Sequence, residues 1–363
     1  MRHAEKSRPS THPLADAIAR STLEVFRAHA CPVSAQTVVA SIVAVSDDGG
    51  VRVLAYGVGT KVAALDAIKA DTTGEVVRDA HAEVLARRGF VRYCYETPSP
   101  LRAGERLALY ASSAPCGNST IRRWARRHAG THAPILVHAA GQVDLLLKKH
   151  PGAAPEEAPA WMPKGCCRAG TSSSSSHSCS DKVARWVALG LQGALLSPRG
   201  KMELSLIVVG RKYSFEHVRR AVCCRVRKLG RHPDLAGTGV KLDDGVYQPG
   251  CGATFDAACY AWWATREGPP EVLDGRTGRR TDGAPSDLCK LALWRAFGGG
   301  DFSTYEAAKR DLAAGWYARD RDTFFASPPF DQWVSKRTKS VPEEEVDVAL
   351  LSSGRCRSSF FFS

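Results

Sequence analysis

The stretch 37-TVVASIVAVSDDGGVRVLAYGV-58 decides the fold. Two β-rich runs, Thr37 to Val45 and Val51 to Val58, flank Ser46-Asp47-Asp48-Gly49-Gly50. Valine, isoleucine and tyrosine suit a packed, pleated surface, and the Asp-Gly-Gly cluster is turn chemistry, so the segment reads as a hairpin. On its N-terminal side, Leu14 to His29 reads as a helix, with Leu14, Ala17, Ile18, Leu23 and Phe26 on or near one face. On its C-terminal side the pattern predicts a helix over Ala82 to Tyr95, a strand over Arg106 to Ser112 and a basic helix over Ser119 to His128. A low-complexity loop at about 150–178, with the serine run Ser172 to Ser176, interrupts the pattern. After it come a helix from Asp181 to Leu191, a strand from Glu203 to Val209 and an arginine-rich helix from Ser214 to Arg227. A loop over 265–284 and helices over Leu288 to Phe297 and Tyr305 to Trp316 complete the reading. Strands that alternate with helices give an α/β class, a mixed sheet with helices on its faces.

Composition agrees with a folded chain. Of 363 residues, 44% are apolar and 24% charged, which excludes wholesale disorder. No stretch approaches the roughly 18 consecutive apolar residues of a membrane span. Met1 to His12 is charged and lacks the apolar run of a secretory signal, so the expected location is cytoplasmic or nuclear. The expected organisation is a single domain over 1–342 with a disordered tail over 343–363, acting as a monomer. Lysine plus arginine outnumber aspartate plus glutamate 50 to 37, a net +13 that suggests a polyanionic partner. The twelve cysteines, without a secretory signal, suit free thiols and metal ligands better than disulfides. The adjacent pairs Cys166-Cys167 and Cys223-Cys224 are poorly placed to bridge each other.

Three segments carry chemistry: Asp79-Ala80-His81-Ala82-Glu83, Ala114-Pro115-Cys116-Gly117 and Ser178-Cys179-Ser180-Asp181-Lys182. One imidazole (His81) and two thiolates (Cys116, Cys179) are three good ligands for Zn2+, and a catalytic zinc site keeps its fourth position for water. Both cysteines fall near expected helix N-termini, where the helix dipole favours the thiolate. Zinc lowers the pKa of bound water to about 7. Glu83, two residues after His81, is then a carboxylate close to the metal without being a ligand, which suits a proton shuttle. The order H-x-E then P-C is the zinc deaminase signature. That signature continues P-C-x-x-C, but position 119 is Ser119, so a third ligand must come from elsewhere and Cys179 supplies it.

These segments resemble the adenosine deaminase domain shared by double-stranded RNA-specific adenosine deaminases and tRNA-specific adenosine deaminases of the Tad1 type. The resemblance begins near Gly59-Thr60-Lys61 and runs through Asp79 to Glu83, Arg87-Arg88 and Pro115-Cys116-Gly117. It is most specific from Ser178 through Trp186 to Ser197, and reappears at Leu288-Cys289-Lys290, at Tyr305 to Lys309 and at Trp333. It implies a cytidine-deaminase-like mixed sheet with an extended C-terminal helical part, zinc at His81, Cys116 and Cys179, and Glu83 as the catalytic acid and base. It also implies a buried inositol hexakisphosphate held by Arg87, Arg88, Lys182, Arg185, Lys290, Tyr305, Lys309, Trp333 and Lys336. Asp79 and Lys182 match residues that relay between the two centres. The chain departs from the family in reading Pro-Cys-Gly-Asn118 where the last residue is usually aspartate. Its 163–168 segment scarcely matches, and the tyrosine and lysine that usually precede Tyr305 are missing.

The implied reaction is hydrolytic conversion of adenosine to inosine, with Thr60 and Lys61 near the target nucleotide. Only some 60 residues precede the first motif, and the opening helix and hairpin use them. The expectation is therefore a free-standing deaminase of the Tad1 type. Its expected partner is alanine tRNA, at position 37 beside the anticodon, with no DNA and no membrane involved. Arg122, Arg123, Arg126 and Arg127 could face the RNA. The competing readings are a deaminase of nucleosides, of cytidine or of another RNA, and an inactive RNA-binding or partner subunit with structural zinc.

Overall fold

Strands β1 (Val39–Val45) and β2 (Val51–Val58) pair antiparallel through the expected turn and sit in the middle of the main sheet. The computed structural model describes residues 12–33, 36–120, 148–150, 161–163, 176–226, 230, 232–242, 257–327 and 330–333. Among these, β1 and β2 belong to an eight-stranded mixed sheet. On the β1 side lie β5 (Arg106–Ser113), antiparallel, then β8 (Leu204–Arg211) and β9 (Asp234–Gly237), both parallel. On the β2 side lie β10 (Ala258–Trp263), β11 (Glu271–Asp274) and β12 (Arg279–Arg280), all antiparallel. Two short ribbons stand apart: β3 (Thr60–Val62) with β4 (Asp79–His81), and β6 (Lys148–His150) with β7 (Trp161–Pro163).

Helices cover both faces of the sheet, which is why β1 and β5 read as near-continuous apolar runs. Period-2 alternation assigns the sides. Leu107, Leu109 and Ala111 of β5 pack with Leu85, Ala86 and Phe90 of helix α3 (Ala82–Glu96). Ala108 and Tyr110 turn to the other face, against Ala15, Ile18 and Ala19 of α1 (Pro13–Ala28). Pro13 opens α1 at a position that needs no N–H, and the His12 ring accepts from the Leu14 amide. The same core as α3 takes in helix α4 (Cys179–Leu189) through Val183, Trp186 and Val187.

Asp79 to His81 form β4, and α3 starts at Ala82, as the pattern predicts, with His81 as its N-cap residue. The structure departs from the sequence reading in five places. The expected loop over 265–284 holds β11 and β12, whose apolar signal is too short to show; the buried Glu271 carboxylate instead accepts from Ser286 Oγ and the Asp287 amide, both at 2.7 Å. The expected helix from Ser214 to Arg227 is α5 (Phe215–Arg219) running into a single π turn, Arg220–Cys224. Leu65–Ala70 forms a short helix, α2, that the apolar pattern did not announce. The C-terminal helical part contains α6 (Lys290–Ala296), and the expected helix from Tyr305 to Trp316 divides into α7 (Tyr305–Asp311) and α8 (Gly315–Ala326). Of the expected basic helix, Ser119 and Thr120 lie in a 3-10 turn (Asn118–Thr120), and Arg122, Arg123, Arg126 and Arg127 lie outside the described residues.

One close approach fixes the helix that carries the chemistry. A Cβ on Gly57 of β2 would stand 2.5 Å from the Ala82 carbonyl and 2.5 Å from Leu85 Cβ. Glycine therefore lets the first turn of α3 lie directly on the sheet. Gly57→Ala is expected to cost about 1–3 kcal/mol through this overpacking. Chemical denaturation measures it; an unchanged midpoint and slope would mean that α3 can step away from β2 freely.

Candidate active site

The end of β4, the loop after β5 and the start of α4 meet at one point. His81 Nδ1 lies 3.3 Å from Cys179 Sγ and 3.8 Å from Cys116 Sγ, and all three donor atoms fall within 4.8 Å of one another. Tetrahedral angles at bonds of about 2.0–2.3 Å separate such donors by about 3.5–3.8 Å, so the set fits a zinc ion. Glu83, in the first turn of α3 and only 3% exposed, places Oε2 3.2 Å from Cys179 Sγ.

Local sequence explains how the two cysteines meet. Ser178 caps α4: its hydroxyl accepts from the Asp181 amide at 3.2 Å and donates to the Asp181 carboxylate at 2.7 Å. Asp181 is then held by Arg225 at 2.5 Å in a fully buried ion pair. On the other side, Gly117 takes φ +105°, and a Cβ there would collide with the Ser178 side chain. The Cys116 loop thereby lies against the α4 N-terminus. The Cys179 amide donates to Cys116 Sγ at 3.3 Å, and the Ser180 amide to the Cys116 carbonyl at 2.9 Å. Asn118 is buried, and its backbone carbonyl accepts from Arg220 at 3.2 Å.

Asp79 links this site to the interior. Its Oδ1 accepts from the His81 amide at 3.0 Å, and its Oδ2 accepts from Ser176 Oγ at 2.8 Å and pairs with Lys182. Lys182 also donates to Ser176 at 2.9 Å. The sequence pattern puts Ser176 and His177 in the low-complexity loop, yet both are 1% exposed, and His177 stacks on Trp333 at 4.0 Å. The only signal that could have marked them is their place directly before the Ser178-Cys179 segment. Thr60 is buried opposite His81 in the β3–β4 ribbon, and Lys61, half-buried, stands opposite Ala80.

Behind α3 and α4 lies a cavity of about 250 Å³. Five cations line it: Arg87, Arg88, Arg185, Lys290 and Lys309, together with Tyr305 and two tyrosines not foreseen from sequence, Tyr95 and Tyr317. No carboxylate is among its lining residues. Burial, then Arg185, pushes Arg87 down to about 10, and burial pushes Arg88 down as well. Burial, then Arg78, pushes Lys290 down to about 8. Arg88 Nη2 is buried with no hydrogen-bond partner among the described residues, and so is Nε of Arg78, which sequence reasoning missed. Arg78 pairs with Asp71 and carries no motif of its own. Lys182 and Trp333 lie outside the lining; Trp333 packs under Arg185, 5.7 Å away. Lys336 lies outside the described residues.

A mixed sheet that presents one imidazole, two thiols and a buried carboxylate at the start of two helices defines the zinc deaminase class. The family model for the adenosine-deaminase (editase) domain matches residues 55–100 and 96–336, and the chain belongs to this family. It is 28% identical over 355 residues to a mouse double-stranded RNA-specific adenosine deaminase, covering 82% of this chain and 29% of that protein. It is 26% identical over 281 residues to the Drosophila double-stranded RNA-specific editase Adar, covering 68% of this chain and 40% of that protein. It is also 28% identical over 169 residues to Drosophila tRNA-specific adenosine deaminase 1, covering 40% of each. The chain thus spans under half the length of the curated relatives it matches.

Gly117→Ala should strain the +105° backbone and push the Cys116 loop off α4. The expected result is a fall in zinc content by elemental analysis, with the far-ultraviolet circular dichroism retained. Full zinc occupancy in that variant would show that the contact with Ser178 does not set the site.

Proposed function

We propose that this chain is a zinc-dependent hydrolytic adenosine deaminase acting on RNA, with tRNA as its substrate, at the adenosine 3′ of the anticodon of alanine tRNA. The deaminase reading rests on one observation above all: the buried Glu83 carboxylate stands 3.2 Å from a ligand sulfur, beside three nitrogen and sulfur donors. Structural zinc sites close with a fourth such ligand and have no use for a shuttle carboxylate.

His81, Cys116 and Cys179 would hold the ion. Zinc bound this way supplies a hydroxide nucleophile near neutral pH. Glu83 would take up one proton from water and pass it to the adenine ring, then take the second from the new C6 hydroxyl and pass it to the departing amine. Oxygen from water replaces nitrogen at C6, inosine forms and ammonia leaves. Thr60 and Lys61, beside His81 on the β3–β4 ribbon, are assigned to the target nucleotide.

An anticodon loop displays bases that need little unstacking before entering a pocket, which favours tRNA. The net +13 supplies affinity for a phosphate backbone. Duplex RNA is the second reading, favoured by matches to double-stranded RNA-specific relatives that cover 82% and 68% of the chain, against 40% for the tRNA-specific one.

Inosine at the base 3′ of the anticodon, read by sequencing after incubation of unmodified alanine tRNA with purified protein, is the expected outcome. Conversion of an RNA duplex but not of the tRNA would move the substrate to the second reading. Glu83→Gln should keep its zinc and lose about 10²–10⁴ in rate. A near-normal rate in that variant would remove Glu83 from the chemistry.

The five-cation cavity is assigned to inositol hexakisphosphate, with Arg87, Arg88, Arg185, Lys290, Lys309 and Tyr305 as its contacts. Lys309 pairs with Glu306 at 3.0 Å, but cations crowded around one cavity still repel one another, and a polyphosphate removes that cost. In protein freed of the anion, the folded chain releases the Lys290 proton from about pH 8, whereas the unfolded chain holds it to 10.5. The unfolded state then binds more protons, so this lysine makes stability rise between those limits. Lys290→Met should lack that rise, and bound polyphosphate should abolish it in the native chain by restoring the ammonium ion. Denaturation at pH 8 and pH 10 reads the difference; parallel profiles for the two proteins would count against the assignment.

A further inference from the structure

A second group of metal-binding side chains lies away from His81. We propose that Cys223, Cys224 and His232 form a separate site for a thiophilic divalent cation of the zinc type. Their three donor atoms lie within 4.8 Å of one another, as they do in the His81 cluster. The two sulfurs are 3.9 Å apart. That is close to the roughly 3.8 Å expected for two thiolates on one tetrahedral ion with bonds of about 2.3 Å.

The local fold makes the arrangement possible. Cys223 and Cys224 end the π turn Arg220–Cys224, and single π turns are frequent at functional sites. His232 comes from the segment that leads into β9, so an ion would join two separate pieces of chain. Cys223 is buried, while Cys224 and His232 are exposed: the sulfur forms a floor and the other two donors form an open mouth. Arg219 Nε donates to Cys224 Sγ at 3.1 Å. A donor fixed on a ligand sulfur orients it, as outer partners of metal ligands commonly do. Cys223 Sγ donates to the Arg219 carbonyl at 3.2 Å, and that thiol proton leaves when a metal binds. Three protein donors leave one position for water.

The site has a neighbour of consequence. Arg220, at the start of the same turn, holds the Asn118 carbonyl, and Arg225, just past its end, holds Asp181. An ion fastened to Cys223 and Cys224 would stiffen the element that braces both cysteine loops of the first cluster.

The test is metal content of the full chain, equilibrated with Zn2+ alone, freed of unbound ion and measured by elemental analysis. Native protein should retain about two zinc ions per chain, and Cys224→Ser and His232→Ala about one each. Both substitutions are at exposed positions, so their folding can be checked independently by thermal melting. Arg219→Gln should weaken the second ion by about tenfold in competition with a chromophoric chelator. About one zinc in the native chain, unchanged in Cys224→Ser, would overturn the proposal. So would a second ion that survives in both Cys224→Ser and His232→Ala. Neither result depends on the deaminase reading.

Discussion

The start of α4 must touch the loop after β5, and the rest of the site depends on that contact. His81, Cys116 and Cys179 are far apart in the chain, yet an ion accepts errors of only a few tenths of an ångström in their positions. His81 and Cys179 come from the ends of rigid elements, β4 and α4, and Cys116 from the loop after β5. The last adjustment is made by Gly117 and Ser178, which press backbone against side chain, and by the Cys179 and Ser180 amides, which donate to Cys116. The buried Asp181–Arg225 pair holds the cap of α4 from behind. Its value lies in orientation, since buried ion pairs contribute little net stability.

Helix α4 serves two centres at once. Its first residue, Cys179, belongs to the metal cluster, and Arg185, two turns on, lines the cationic cavity. Helix α3 does the same with Glu83 at its start and Arg87 and Arg88 one turn later. The cavity charge and the metal geometry are therefore carried on the same two rods. Lys182, also on α4, lies outside the cavity lining but pairs with Asp79, which holds the His81 amide, so α4 supports the metal cluster at a second point. Charge repulsion left in the cavity would act on the helices that aim the ligands.

The sequence displayed the hairpin, the helix α1 and the metal cluster for physical reasons. A sheet covered on both faces has long apolar runs, and Ser-Cys-Ser-Asp is a capping pattern as well as a ligand segment. Chemistry alone demanded a third soft ligand once Ser119 replaced the second cysteine of the signature. What stayed hidden had weak local signals. Strands β11 and β12 are four and two residues long, and one of their few buried side chains is a carboxylate. Ser176 and His177 sit at the end of a serine run and are buried only because Asp79 and Trp333 come to them from elsewhere. Tyr95 and Tyr317 enter the cavity from helices whose motifs lie at other positions.

Net charge needs the same spatial correction. Read along the chain, +13 looks like a measure of attraction to RNA. Five of those cations turn inward to line the cavity, and setting them aside leaves +8 for the rest of the chain. A polyphosphate bound there would neutralise charge that a salt-dependence measurement could otherwise attribute to the RNA backbone. The salt slope of RNA binding should therefore report the outward-facing arginines and lysines, and the inward-facing group should appear in stability. The two polyanion interactions suggested by one composition figure are thus separable by the property that each one moves.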